Sequence, residues 1–145
     1  MFRTMRAPRT HSALRSTGAL FLLLGLLAPS QTAQGAAPCD APQTQLQMME
    51  CTDADYKTAD AALNDTYREV MAKLNELDKT RPGWGLADAL RESQRAWLPL
   101  RDRQCDWEAA FVKGGTMEPL IRLSCLSEMT AKRTDQLRET WKTYQ

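Results

Sequence analysis

The sequence predicts an all-α protein, a small antiparallel bundle of three to four helices with two disulfides. Apolar residues recur at helical spacing in three segments, and turns that contain glycine or proline separate these segments. Four cysteines follow an apolar leader. Helices with one apolar face, joined by short turns, bury those faces only against one another, which favours a bundle. A length of 145 residues indicates one compact domain.

The first 35 residues have the pattern of a secretory signal peptide. A basic stretch ends at Arg15, and small residues follow the ten-residue apolar run 19–28. A spanning helix needs about 20 apolar residues, so we expect no permanent membrane anchor after cleavage. Cleavage after Gly35 predicts an exported protein whose single domain comprises residues 36–145.

The charge of the exported part excludes one class of partner. The formal charge of the whole chain is +1, but residues 1–35 contain four arginines and no acid, so the remainder carries −3. A nucleic-acid binder is expected to present a clustered excess of Lys and Arg. We therefore expect no nucleic-acid partner.

Each of the three segments carries one apolar stripe at spacings of three, four and seven residues. The first stripe comprises Tyr56, Leu63, Tyr67, Val70, Leu74 and Leu77. The second comprises Leu86, Leu90, Trp97, Leu100, Trp107 and Phe111, and the third Leu126, Met129, Leu137, Trp141 and Tyr144. Thr52 and Asp55 resemble a capping box, which predicts that the first helix starts or restarts there.

The cysteines predict two disulfides, because an even number in an exported chain is typical of crosslinked domains. Cys105 lies nine residues before the turn Gly114-Gly115, and Cys125 lies ten residues after it. Two antiparallel helices would bring these cysteines to the same height, so Cys105–Cys125 is the favoured pair among three possible pairings. Cys39–Cys51 is then the second pair.

Polar residues interrupt the apolar stripes. Asp60 lies on the first stripe with Asn64 beside it, and Arg133 lies on the third. Because an isolated buried charge is costly, we expect Asp60 to pair with Arg133 or Arg101 in a buried polar network. We interpret this pair as a structural contact that sets the helix register and not as a catalytic site.

The residues needed for common catalytic sites are missing from the exported part. His11 is the only histidine, and it lies in the leader. Cysteines in disulfides offer no thiolate, and no Cys-x-x-Cys spacing indicates zinc. We therefore expect no enzyme activity, no catalytic residue, no metal and no cofactor.

Trp84 and Arg81 lie in the turn-rich segment 79–85 between the first two helices. An exposed aromatic residue beside an arginine is typical of an interface anchor, so both are candidate partner-binding residues. The alternative is that Trp84 folds back to cover the end of the bundle.

Three motifs follow one another after Cys39 and Cys51. They are Asp-x-x-Leu-Asn-x-x-Tyr at 60–67, Gln-Arg-x-Trp-x-x-x-Arg-Asp-x-x-Cys at 94–105, and Thr-x-x-Arg at 130–133. In this order, and with Gly114-Gly115 and Cys125 between the last two, they resemble the lysozyme-inhibitor LprI-like N-terminal domain family. The resemblance covers essentially all of the exported part.

The resemblance implies a small helical, disulfide-bonded exported protein of bacteria, periplasmic or secreted. The positions that match the family's motifs are Asp60, Asn64, Trp97, Arg101 and Arg133. Because they coincide with the polar residues on the stripes, we interpret them as scaffold residues. Pro99 departs from the second motif.

The founding member of the family is a lipoprotein reported to inhibit lysozyme, so the resemblance implies a binding protein with lysozyme or another cell-wall hydrolase as partner. The mildly acidic exported part would meet a basic lysozyme with opposite charge. No cysteine directly follows the apolar run, so lipid anchoring does not carry over. The alternative function is a structural or accessory cell-envelope module without inhibitory activity.

Overall fold

The computed structural model describes residues 39–145, in which three α-helices follow one another. They are α1 (Gln45–Thr80), α2 (Leu86–Ala109) and α3 (Glu118–Tyr144). A short 3₁₀ helix, Ala110–Val112, extends α2. The described chain contains no strand, so the predicted all-α fold is confirmed.

The apolar run and the cleavage position after Gly35 lie outside the described residues, and the signal peptide stays a prediction. Within residues 39–145, no helix combines the length and the apolar character needed to cross a membrane.

Contacts between the helices define an up-down-up bundle. Side chains late in α2 meet side chains early in α3, as the Cys105–Cys125 bridge shows, so these helices are antiparallel. Helices α1 and α3 are parallel, because Gln45 bonds the carbonyl of Thr116 just ahead of α3 and Lys73 lies over Trp141. The bundle therefore has two distinct ends. We call them the disulfide end, where α1 and α3 begin, and the groove end, where they finish.

Helix α1 begins earlier than the sequence pattern predicts. The capping box that starts it joins Thr44 and Gln47, with the backbone N–H of Gln47 donating to the Thr44 hydroxyl at 3.2 Å. The side-chain oxygen of Gln47 accepts in return from the N–H of Thr44 at 3.1 Å. The predicted start at Thr52 is wrong, since its hydroxyl donates to the carbonyl of Met48 inside a continuous helix.

The turn at the groove end is tied to α1 by Asp78. Its two carboxylate oxygens accept the backbone N–H groups of Leu86 and Ala87, each at 2.9 Å. These donors are unsatisfied at the start of any helix, and a carboxylate there also suits the helix dipole. Gly85 supplies the left-handed backbone, with φ of 62°, that lets the chain enter α2.

The core contains small and aliphatic side chains. Its buried apolar residues in the described chain are Cys51, Leu63, Val70, Ala87, Cys105, Ala109, Leu120, Cys125, Leu126 and Leu137. Three buried threonines, Thr66, Thr130 and Thr134, lie among them. Such residues let helices approach closely, but each one buries little area, so crosslinks gain importance.

Both disulfides join the favoured pairs. Cys39–Cys51 has a Cα–Cα distance of 5.5 Å and ties the N-terminal arm to α1. Cys105–Cys125 has a Cα–Cα distance of 5.4 Å and joins α2 to α3 inside the core. Tyr56 of α1 and Met129 pack against this second bridge, so all three helices meet there.

Removing the buried bridge with the double substitution Cys105→Ala and Cys125→Ala is expected to lower the free energy of unfolding by about 3 kcal/mol. The physical reason is that the bridge closes a loop with a sequence separation of 20 and so lowers the conformational entropy of the unfolded chain. Urea denaturation followed by far-ultraviolet circular dichroism measures the change. A loss below about 1 kcal/mol would contradict this account of the bridge.

Candidate functional site

Two buried arginines lie at the middle of the bundle, both close to the ring of Trp97. Each is only 7% exposed. The guanidinium carbon of Arg101 lies 5.2 Å from the centre of the Trp97 ring, and that of Arg133 lies 5.7 Å from it. Tyr56 of α1 adds a second ring 5.9 Å from Arg101. Aromatic faces stabilise cations at such distances, most strongly away from water.

Arg101 has a carboxylate partner, and it is the next residue. Its Nε and one Nη donate to Asp102 at 2.9 and 2.8 Å, and its other Nη donates to the hydroxyl of Thr130 at 3.2 Å. Thr130 belongs to α3 and is fully buried. Arg101 thus links α2 to α3 beside the disulfide.

Arg133 bonds neutral oxygens alone. Its three nitrogens donate to Gln94 at 3.0 Å, Gln136 at 2.6 Å and Ser93 at 2.9 Å. No carboxylate of the described chain lies within ion-pair distance of it. Burial lowers the pKa of the Arg133 guanidinium, but arginine still stays protonated in proteins. The site therefore holds a buried positive charge that no carboxylate of residues 39–145 balances.

The predicted ion pair between Asp60 and Arg133 or Arg101 is wrong. Asp60 is at the edge of the α1 interface, where its carboxylate accepts the side-chain amide of Asn64 at 2.9 Å. Asn64 itself is exposed. Asn64 lies about 100° around the helix from the buried Leu63, so its side chain points away from the core. Asp60, four residues earlier, lies on the same face of α1 as Asn64 and bonds it there. The arginines form the polar network with residues of α2 and α3 instead.

A groove of about 600 Å³ opens at the groove end, between all three helices. Its walls are mainly apolar, with leucines from α1 and α2 and with Leu137, Trp141 and Tyr144 from α3. Ser93, Arg133 and Gln136 form a polar part of the wall. A concave, mostly apolar site with a few converging polar groups is the usual form of a ligand pocket.

Arg81 and Trp84, the candidate partner-binding residues, line the mouth of this groove. The guanidinium carbon of Arg81 lies 4.5 Å from the centre of the Trp84 ring, which is 60% exposed. Trp141 forms another part of the wall, and its ring centre lies 5.1 Å from the ammonium nitrogen of Lys73, which also pairs with Glu69. The structure thus joins the two residues in one surface with Arg133, a relation that the sequence did not indicate.

A second surface lies along the outside of α2, where the sequence analysis expected core. Leu100 and Trp107 are each 60% exposed, and Phe111 is 77% exposed. We call these three residues the α2 outer stripe. The buried face of α2 carries Ala87, Arg101, Cys105 and Ala109 instead. The core prediction for Leu100, Trp107 and Phe111 is therefore wrong.

The disulfide at Cys105 determines which face of α2 is buried and which is exposed. A helix turns about 100° per residue, so Trp107 lies about 200° around the helix from Cys105. Once Cys105 faces α3, Trp107 must face outward. The rings of Trp107 and Phe111 meet edge to face, with centroids 5.6 Å apart.

The disulfide end is the acidic end of the molecule. Residues 40–57 and 102–122, which build it, contain eight acidic and four basic side chains. The rest of the described chain contains ten acidic and eleven basic side chains. Residues 39–145 hold no cluster of three or more His, Cys, Asp or Glu side chains arranged for a metal ion.

Together these features define a small disulfide-bonded helical domain with a mainly apolar groove at one end and the α2 outer stripe toward the other. The family model described as lysozyme inhibitor LprI matches residues 37–137. The chain belongs to this family.

Two uncharacterized bacterial proteins are similar to this chain. The chain is 40% identical over 126 residues to the uncharacterized protein R02472 of Rhizobium meliloti (strain 1021), covering 83% of this chain and 91% of that protein. It is 30% identical over 97 residues to the uncharacterized protein YecT of Escherichia coli (strain K12), covering 60% of this chain and 58% of that protein. No solved structure gives a significant match.

The arginine network predicts the effect of Thr130→Val, which keeps the shape of the side chain but removes the oxygen that accepts from Arg101. Leaving a buried charged donor without its partner should cost about 1–3 kcal/mol in the free energy of unfolding, measured by urea denaturation. Thr143→Val is the matched control, because Thr143 is an exposed α3 residue that bonds only the carbonyl of Glu139. Equal losses in both variants would contradict a role for the Arg101–Thr130 bond.

Proposed function

We propose that the protein is an exported binding protein that inhibits lysozyme or a related peptidoglycan hydrolase by docking its α2 outer stripe on the enzyme. The description of its family as a lysozyme inhibitor supports the kind of partner. The observation that carries the proposal is the exposed Trp107–Phe111 pair.

The α2 outer stripe has the composition of an interface centre. Trp is among the residues that contribute most to protein–protein affinity, and exposed clusters of large apolar residues mark contact surfaces. The edge-to-face packing of Trp107 on Phe111 limits the motion of both rings before binding. Less side-chain freedom is then lost when a partner covers them.

The charge around the Trp107–Phe111 pair suits a basic enzyme. The pair lies at the disulfide end, where acidic side chains outnumber basic ones by eight to four. Opposite charge speeds the encounter of two proteins and disfavours acidic competitors. A basic lysozyme would therefore approach this end of the bundle first.

The chemistry of the chain supports action by contact and not by catalysis. All four cysteines are in disulfides, and residues 39–145 contain no histidine. Export is supported by the leader pattern and by the two bridges, which persist in oxidising compartments. An inhibitor needs only a surface that fits its enzyme.

Trp107→Ala is expected to weaken inhibition of lysozyme roughly 30-fold, since a buried aromatic anchor is worth about 2 kcal/mol or more at an interface. The measurement is the loss of turbidity of a cell-wall suspension by lysozyme at increasing concentrations of purified protein. Circular dichroism should be unchanged, because Trp107 is mostly exposed in the free protein.

Trp84→Ala is the matched control, because Trp84 has the same 60% exposure but lies at the groove end. It should inhibit as well as the unmodified protein. Loss of inhibition in Trp84→Ala alone would move the interface to the Arg81–Trp84 turn. Undiminished lysis at a large excess of unmodified protein would remove the inhibitor proposal and favour an accessory envelope module.

A further inference from the structure

The groove lies at the opposite end of the bundle from the Trp107–Phe111 pair, so a partner bound to that pair would leave it open. We propose that it binds a single-chain carboxylate amphiphile, with the carboxylate at Arg133 and the alkyl chain along the apolar wall toward Trp84. This inference does not rest on the inhibitor proposal, because the two use different residues at different ends.

The charge of the groove favours an anion. Arg133 and Arg81 line it, whereas Lys73, which lies over the Trp141 ring, is not among the lining residues and pairs with Glu69 on its own helix. No aspartate or glutamate is among the described residues that line it. A site with cations and no anion in an apolar wall favours a negatively charged ligand and rejects a positively charged one.

Arg133 is the group best suited to hold the carboxylate. A guanidinium has five N–H donors, and Arg133 uses three of them on the neutral oxygens of Ser93, Gln94 and Gln136. Its charge has no carboxylate partner in the described chain. Because a buried charge gains most from a paired and hydrogen-bonded counter-charge, a ligand carboxylate supplies what this site lacks.

The wall beyond Arg133 suits an alkyl chain. From Arg133 to Tyr144 the groove follows α3 for eleven residues, or about 16 Å at 1.5 Å per residue. Leu74, Leu77 and Leu90 face this length from α1 and α2. Each methylene that leaves water against such side chains adds to the affinity.

The size of the groove favours a small molecule over a helical peptide. A helix with side chains is about 10 Å wide, so each of its 5.4 Å turns fills roughly 420 Å³. Spread over its length of about 16 Å, the groove of about 600 Å³ has a cross-section of roughly 40 Å², about half that of such a helix. Helix-in-groove recognition uses anchors over at least two turns, whereas ligand pockets of this volume are common for small molecules.

The test is isothermal titration calorimetry of the purified protein with three ligands that share one alkyl chain, namely decanoate, decanol and decyltrimethylammonium. The two ionic ligands are kept below their micelle concentrations and decanol below its solubility limit. We expect decanoate to bind with one-to-one stoichiometry and at least tenfold more tightly than the other two. Equal affinity for all three, or no binding of decanoate, would overturn the proposal.

Substitutions then show which residues bind the carboxylate head group and which contact the alkyl chain. Arg133→Gln should weaken decanoate at least tenfold and leave decanol unchanged, and Leu74→Phe, which narrows the groove, should weaken both. Arg95→Gln is the matched control, because Arg95 is an exposed α2 arginine outside the groove, and it should bind decanoate normally.

Circular dichroism establishes whether Arg133→Gln keeps its helices. If it does not, Arg81→Gln at the mouth replaces it and should weaken decanoate at least threefold without affecting decanol. Normal decanoate binding in the folded Arg133→Gln variant, or in both Arg81→Gln and Leu74→Phe, would contradict the assignment. A concentration-dependent dimer that Leu74→Phe dissociates, together with no decanoate binding, would show that a second copy fills the groove.

Discussion

The bridge between Cys105 and Cys125 determines how α2 sits in the bundle. It lies in the core, touches Tyr56 and Met129, and so fixes which side of α2 faces its neighbours. Arg101 and Ala109, four residues before and after Cys105, are buried with it because residues four apart share a helix face. A helix so oriented must present Trp107 to water. The crosslink therefore accounts for the buried arginine and for the exposed aromatic stripe together.

The two arginines show how such a small core tolerates charge. Arg101 faces a carboxylate on its own helix, while Arg133 relies on amide and hydroxyl oxygens and on the face of Trp97. Every buried side-chain polar atom in the described chain has a hydrogen-bond partner, so the arrangement avoids the largest penalty of burial. The neutral oxygens accept the hydrogen bonds of Arg133, but they leave its positive charge unbalanced. That imbalance is the reason why we propose a ligand carboxylate at Arg133.

Much of the fold could be predicted from the sequence, but the pairing of its polar groups could not. Helical spacing and the Gly114-Gly115 turn predict three helices and the bridge between α2 and α3, because both depend on distances along the chain. The partner of Arg133 depends on how far each helix is rotated, which spacing alone does not define. Apolar residues of α2 lie on two different faces, and the helical spacing alone favoured the face with the larger side chains. The position of Cys105 was the information that could have corrected this choice.

The two proposed binding surfaces lie at opposite ends of the same three helices and differ in how firmly the backbone around them is held. At the disulfide end, the two crosslinks and the capping box of α1 hold the backbone in place. Little conformational entropy of the backbone would therefore be lost when a protein partner binds there. At the groove end, Asp78 ties the start of α2 to α1, and the three helices leave a groove between them. A cavity between helices costs packing energy, so its retention in so small a domain favours a ligand that fills it. A ligand that fills it would add contacts between the helices at an end where the described chain has no disulfide. Ligand binding would thus stabilise the end of the molecule that the disulfides leave free, while the partner surface at the other end stays as it is.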